Sequence, residues 1–451
     1  MTVAADGSVA ATAENLSLVD GTYAPDAAVA ATVTSAVAAA EVRGAEVIGK
    51  TDVDMRRAVQ TDGSENRGGE STLGNFVAEV QRSATQDRQG AQIAFMNPGG
   101  LRADLAGGDV TYKEAAVVQP FANTLVVLDL TGAQVEQALE QQWQPAAASR
   151  PFLKLGLSKG FSYAYDPTAA AGSRITSMTL DGAPIDPATT YKVTVNSFLA
   201  SGGDNFTAFA GAAAKQDSGT VDLEAQVQYF RTNPSVTVAD DQRSVGVQIT
   251  PTPEGGFQPG DPIAMELSSL VFSSAADQPT TVSVSAGDQV LATADIDPTV
   301  VDTTDEQGRA SLRFTVPTGT DAPAARAAET TFAALAATTD APLVVTVGST
   351  RIVLPVTVPL AAAVDPGTDP TDPGDPGDPG TDPGTGPVAG GGADAGSGGV
   401  VGAGTGGTAV RGSGDLAYTG TELAAPALVA GLLLLAGITA MVVARRRRTR
   451  I

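Results

Sequence analysis

The chain has 451 residues and a formal charge of −23, and it contains neither cysteine nor histidine. Without cysteine there is no disulfide and no thiolate metal site, and without histidine this chain builds no imidazole base, no Ser-His-Asp triad and no His-ligated dimetal centre. The negative charge repels a phosphate polymer over most of the surface, so nucleic acid is excluded as a partner.

Residues 1–20 are polar and Ala-rich, with no basic n-region and no apolar h-region, and do not read as a secretory signal. Residues 27–42 predict a helix leading into a short strand over 46–50. The loop over 66–76 opens a second helix reaching about residue 84, with Leu73, Phe76, Val77 and Val80 on one face. The apolar run 93–96 predicts a strand that ends in Asn97-Pro98-Gly99-Gly100-Leu101-Arg102, with Asp104 beyond it. Adjacent glycines let backbone N–H groups and a guanidinium converge on an anion, although alone they make an ordinary turn. Thr111 with Glu114, and Thr131 with Gln134, have capping-box spacing and start two further helices. Runs at 124–130, 161–165, 175–180 and 191–195 predict strands, with Asp181-Gly182 as a turn. Glu136 and Glu140 lie on one helix face and form no acid/base dyad. Strands and helices interspersed over 27–238 predict one α+β or α/β domain, with α+β the expected class.

From residue 245 the pattern is all-β. Short β-rich runs at 245–250, 264–272, 281–284, 311–316, 343–347 and 352–358 predict an immunoglobulin-like sandwich over 245–359, with the Ala-rich 324–337 outside the pattern. Residues 360–415 repeat Asp-Pro-Gly and then turn Gly-rich, which predicts a disordered linker and accounts for much of the chain's 51 Gly and 28 Pro. The uncharged, apolar 423–444 has the length of a transmembrane helix, and the basic tail 445–451 behind it holds the C-terminus in the cytoplasm and the body outside. That places the protein at the cell surface. An exported body without an export signal is expected to have lost its beginning.

Four loops carry unusual residues: Arg67, the turn from Asn97 to Arg102, Phe121 with Asn123, and Phe198 with Asp204. Singly they have plainer readings, the phenylalanines as core, Arg67 as a solvated charge and Asp204 as an Asx turn. Together, Gly69-Glu70-Ser71-Thr72-Leu73-Gly74-Asn75-Phe76, Asn97-Pro98-Gly99-Gly100-Leu101-Arg102, Gln119-Pro120-Phe121-Ala122-Asn123-Thr124 and Asn196-Ser197-Phe198-Leu199-Ala200-Ser201-Gly202-Gly203-Asp204-Asn205-Phe206 resemble the C-terminal domain of the 5′-nucleotidase family, over nearly all of 27–238. The resemblance implies a domain that holds a nucleoside or nucleoside monophosphate for a separate N-terminal dimetal phosphoesterase domain. It implies that Phe121 and Phe198 sandwich the base, that Asn97, Gly99 and Asn123 lie near base and ribose, that Asp204 accepts ribose hydroxyls, and that Arg67 and Arg102 pair with phosphate. One departure is Gly69, where some members carry an arginine.

The resemblance places divalent metal ions only in that N-terminal domain, with no cofactor in this chain and residues 1–26 as a remnant of the interdomain region. The expectation is then the nucleotide-binding portion of a cell-surface 5′-nucleotidase, with no hydrolysis by this chain alone. The reading from another class is a non-catalytic, surface-anchored binding or spacer protein. Leu416-Ala417-Tyr418-Thr419-Gly420, followed by the apolar span and arginines, resembles a sortase sorting signal. That resemblance implies cleavage between Thr419 and Gly420, with sortase and the cell wall as partners, whereas the plainer reading is a membrane anchor.

Overall fold

The computed structural model describes residues 2–11, 24–237, 242–274, 278–318 and 338–361. The expected linker beyond residue 361, the sorting motif, the apolar 423–444 stretch, the basic tail and the Ala-rich 324–337 segment lie outside the described residues. Among the described residues no helix is long and apolar enough to cross a membrane.

The strand Ile93–Met96 is buried at all four positions. It runs without a polar break because both of its faces are covered. Ile93 and Phe95 enter one core with Leu128, Val193 and Phe161, while Met96 enters another with Leu73, Val77 and Leu125. Its sheet has five strands, in the order Ala214–Val221, Thr124–Thr131, Thr190–Asn196, Ile93–Met96, Gly156–Leu157. Ile93–Met96 and Thr190–Asn196 are parallel neighbours, so their carboxyl ends emerge side by side. A smaller sheet pairs Val47–Thr51 with Gly108–Thr111 and Ser235–Val236.

The helices start where local chemistry says they should. Ser71 accepts from the Gly74 N–H to open Thr72–Gln89, which runs past the predicted end to Gly90 at φ 76°. Both capping boxes form, at Thr111 for Tyr112–Val118 and at Thr131 for Gly132–Glu140. Asp181 and Gly182 take positive φ angles of 51° and 80°, turning Ile175–Leu180 back into Ala183–Pro184. Ala214–Val221 and Asp222–Thr232 are additional to the predicted elements. The strand lies at a sheet edge with no fully buried residue, and the helix buries Gln226 and Asp222 beside Phe230, so neither shows a clean apolar period.

In the all-β part, Ser244–Thr250 pairs in parallel with Phe161–Tyr165 and antiparallel with Pro262–Ser268. A single six-stranded sheet therefore crosses from the first part into the second, ending on Ala310–Thr315. Opposite its second half stands a four-stranded sheet of Gln289–Asp295, Thr281–Ala286, Thr338–Val347 and Thr350–Ala361. Val247, Met265 and Leu312 of the first sheet share a core with Val284, Val345 and Ile352 of the second. The two sheets thus face each other, and their strand orders do not establish the immunoglobulin topology anticipated from turn spacing.

A buried lysine and two buried carboxylates lie where the two parts meet. The Lys154 ammonium is 2.5 Å from Asp305 Oδ2, with both side chains 1% exposed. It also donates to Ser244 Oγ, which in turn donates to Glu70 Oε2 at 2.6 Å. Glu70 accepts further bonds from the Arg243 N–H and Asn75 Nδ2, and its own N–H donates to Asp305 Oδ1 at 2.9 Å. Burial alone would lower the Lys154 pKa, but Asp305, Tyr163, Tyr165 and Glu70 outweigh it and hold the ammonium well above the ordinary lysine value. Burial pushes the Glu70 carboxyl up; Lys154 opposes that shift and the Asp305 charge adds to it. One ammonium thus serves two carboxylates.

Lys154→Met leaves two buried carboxylates without a cation, and the expected loss is about 3–5 kcal/mol of stability near pH 7. A carboxyl whose folded-state pKa exceeds its unfolded value favours the folded state as pH falls. Urea unfolding should therefore show a deficit that shrinks from about pH 7 to about pH 5. An unchanged midpoint near neutrality would contradict this account.

Candidate functional site

Where the two parallel strands end, each leaves an asparagine. Asn97 precedes a single 3₁₀ turn, Pro98–Gly100, and its side chain does not cap that turn. The freed amide instead donates from Nδ2 to Asp204 Oδ2 at 2.9 Å and accepts from Asn196 Nδ2 at 2.9 Å. Asn196 in turn caps the short helix Ser197–Ala200 by accepting from the Leu199 N–H at 2.9 Å. Gly99 closes the ring of contacts. A Cβ there would lie 3.2 Å from Arg67 Nη1, 3.4 Å from Asp204 Oδ2 and 3.5 Å from Asn97 Nδ2. Its missing methyl is the space on which three polar groups converge.

These residues line a cavity of about 340 Å³ whose walls also include Gly100, Phe121, Asn123 and Phe198. Phe121 is 53% exposed and Phe198 43%, so each residue is partly open to water at the same cavity. The Phe198 ring lies against Gly203, where a Cβ would be 2.5 Å from it. Phe121 is followed by Ala122 at φ 52°, a left-handed residue that turns the chain towards Asn123. Asn123 is fixed between elements, with its N–H and Nδ2 on Asp222 Oδ2 at 3.2 and 3.4 Å and its Oδ1 accepting from Ser197 Oγ. Burial raises the Asp222 pKa, against the hydrogen bonds from the Leu223 and Asn123 N–H groups.

Asp204 is held in a strained loop. Gly202, Asp204 and Asn205 all have positive φ, at 87°, 54° and 64°. Each non-glycine left-handed residue costs on the order of 1 kcal/mol. Gln144 holds the pair in place, donating to the Asp204 carbonyl at 3.1 Å and accepting from Asn205 Nδ2 at 2.7 Å.

Arg67 also lines the cavity. Its Nε donates to Glu65 Oε2 at 2.8 Å, Glu65 also pairs with Arg57 at 3.3 Å, and Arg57 pairs with Asp104 at 2.9 Å. The guanidinium is thereby held with Nη1 beside Gly99. Arg102 is placed differently from the sequence expectation. It is exposed and absent from the cavity wall, with its guanidinium carbon 6.0 Å from the Phe121 ring centroid, on the rim. The departure at Gly69 has a steric cause, since a Cβ there would lie 2.7 Å from Gln307 Nε2 and 2.9 Å from Ala58 Cβ. A side chain at that position would have to displace Gln307 and Ala58.

The structure therefore brings Arg67, Asn97, Gly99, Phe121, Asn123, Phe198 and Asp204 to one cavity. Asn196 and Gly100 are wall residues that the sequence reading did not single out; both lie inside motifs it quoted, at the ends of buried strands. Beyond Arg67 lies a second cavity of about 320 Å³, walled by Glu65, Asn66, Ser149, Arg150 and, from the all-β part, Thr303. Among the described residues no group of three or more Asp, Glu, His or Cys could hold a metal ion. Asp204 is the only acid in the wall of the first cavity and is tied to Asn97, so a dimetal centre does not fit there.

Residues 47–211 match the family model described as 5′-nucleotidase, C-terminal domain. The trifunctional nucleotide phosphoesterase protein YfkN of Bacillus subtilis (strain 168) is 35% identical over 188 residues, covering 40% of this chain and 12% of its own length. The cell wall protein Lmo0130 of Listeria monocytogenes is 33% identical over 224 residues, covering 47% of this chain and 26% of its own length. The protein UshA of Escherichia coli (strain K12) is 29% identical over 203 residues, with coverages of 44% and 32%. The chain thus spans a third or less of the length of these relatives. Among solved structures, a 5′-nucleotidase precursor from Thermus thermophilus superposes with a TM-score of 0.42 at 32% identity, covering 48% of this chain and 42% of that one.

Asn97→Ala removes the partner of a buried asparagine and of the Asp204 carboxylate. The expected cost is about 1–3 kcal/mol of stability, read by chemical denaturation, and a variant as stable as the parent would contradict the network described.

Proposed function

We propose that the cavity binds a nucleoside monophosphate. The observation that carries this reading is the pairing of two solvent-exposed phenylalanines with a fixed guanidinium across one nucleotide-sized cavity. A base offers a π-face to each ring, and stacking contributes on the order of 1–3 kcal/mol per base. Asp204 accepts hydroxyl donors from a ribose, Asn97 and Asn123 supply amide groups near it, and Gly99 lets the sugar approach the turn. Arg67 pairs with the phosphate, and Arg102 adds positive charge from the rim.

In this reading the domain is the substrate-holding part of a phosphomonoester hydrolase of nucleotide catabolism. The likeness to YfkN, a trifunctional nucleotide phosphoesterase protein, supports it. With no histidine in the sequence and no metal-holding cluster among the described residues, the chain binds and orients the nucleotide, and hydrolysis belongs to a metal centre on another domain. Attachment at the cell surface, with sortase cleavage between Thr419 and Gly420 or a membrane-spanning 423–444 helix, is supported by the tail sequence and by the name of Lmo0130. A purely mechanical spacer gives no reason for two phenylalanines partly open to water at one cavity.

Calorimetric titration with adenosine and AMP tests the reading. Phe198→Ala should weaken both ligands by about tenfold or more; equal affinity in parent and variant would sink the base-stacking site. With added divalent metal, the purified chain should release no phosphate from AMP. Release that disappears in Arg67→Ala would overturn the assignment of hydrolysis to another domain.

A further inference from the structure

We infer that the 302–307 loop of the all-β part is a positioning element for Arg67, and that it sets the preference for a 5′-phosphorylated ligand over the bare nucleoside. The inference rests on the nucleotide reading above.

Arg67 stands on a segment, residues 57–70, with little regular structure of its own. Its internal backbone contacts are the antiparallel bridge Val59 to Glu65, the Gln60 N–H on the Ser64 carbonyl at 2.8 Å, the Gly63 N–H on the Gln60 carbonyl at 2.9 Å and the Asn66 N–H on the Ala58 carbonyl at 2.8 Å. These contacts and the Arg67 pair with Glu65 order the segment internally, and its seat against the cavity, which recognition of a phosphate needs to be precise, is left to anchors outside it. Its outer side is fixed to the all-β part instead. Ser274 Oγ donates to the Arg57 carbonyl at 2.8 Å, and the Val59 N–H donates to Ser273 Oγ at 2.9 Å. Thr61 gives its N–H and hydroxyl to the two oxygens of Asp302 at 2.8 and 2.9 Å. Asn66 Nδ2 donates to the Thr304 carbonyl at 3.1 Å.

At the centre of this contact the two backbones touch. A Cβ on Gly68 would lie 2.4 Å from the Thr303 carbonyl oxygen, so the residue after Arg67 has no room for a side chain. Thr303 itself is held at φ 66°, a left-handed conformation that costs a β-branched residue on the order of 1–3 kcal/mol. Asp305 then secures both sides of Arg67. It accepts the Glu70 N–H at 2.9 Å, and it pairs with Lys154, whose own N–H donates to the Arg67 carbonyl at 2.9 Å. The rings that flank the base end of the cavity belong to other elements, Phe121 after Tyr112–Val118 and Phe198 within Ser197–Ala200. Loosening the 302–307 contact therefore moves the phosphate end and spares the base end.

The test uses the full chain and compares dissociation constants for AMP and adenosine. Gly68→Ala pushes a methyl group against the Thr303 carbonyl, and Asp302→Ala removes an exposed side chain that anchors Thr61. Both should lower the AMP-to-adenosine affinity ratio by about tenfold, the value of one charge-assisted hydrogen bond, and leave adenosine binding unchanged. Asp302→Asn keeps an acceptor for the Thr61 N–H and should restore the ratio. If Arg67→Ala lowers the ratio while Gly68→Ala and Asp302→Ala leave it intact, the positioning inference fails and the nucleotide reading stands. Equal losses for both ligands would also overturn the inference, as a general loosening of the fold. A parent chain that binds neither ligand overturns the nucleotide reading and the inference together.

Discussion

A buried ammonium shared between two carboxylates joins the two parts of this molecule. Lys154, Glu70 and Asp305 are each almost wholly withdrawn from water, and each comes from a different stretch of chain. Such a cluster is tolerable only when all its members and their hydrogen-bond partners are present, because a lone charge in the same place would be uncompensated. The constraint makes the first part depend on the second. Glu70 immediately precedes the Ser71 cap of the helix Thr72–Gln89, so the charge cluster also anchors the start of the helix that packs against the central sheet.

The ligand cavity follows from the sheet. Two parallel neighbours end at the same edge, and ligands in α/β sheets gather outside carboxyl ends of strands. Here those ends are Asn97 and Asn196, and their mutual hydrogen bond fixes the floor on which the loops carrying Phe198, Asp204 and Arg67 meet. Rigid strands supply position and irregular loops supply chemistry. Those loops carry backbone strain at Ala122, Asp204 and Asn205, where the tertiary contacts over-determine the backbone.

Much of this was legible in the sequence because its signals are local. The capping boxes at Thr111 and Thr131 bring their own partners three residues away, the Asp181-Gly182 turn needs only its own dihedral angles, and the run 93–96 is apolar because both faces are covered. The motif residues of the cavity were found for the same reason, as short words in order. What escaped is long-range. The strand Ala214–Val221 has an exposed edge and no alternation to reveal it. The partners of Glu70 lie at Arg243, Ser244 and Asp305, and no spacing rule connects residues 235 apart in the chain. Arg102 shows the limit of motif transfer, since its place in the turn is as read while its side chain lies on the rim.

The sheet that crosses from one part to the other makes residues 27–238 a poor unit to move elsewhere. Cutting after residue 238 would strip Ser244–Thr250 from its parallel neighbour and expose Phe161–Tyr165 as an edge with unpaired backbone donors and acceptors. Such an edge invites pairing with another copy. The stretch that reads as a domain by motif is therefore smaller than the one that folds as a unit, and a hybrid protein built on the motif boundary would carry an open strand and a lysine stripped of its Asp305 partner into its new host.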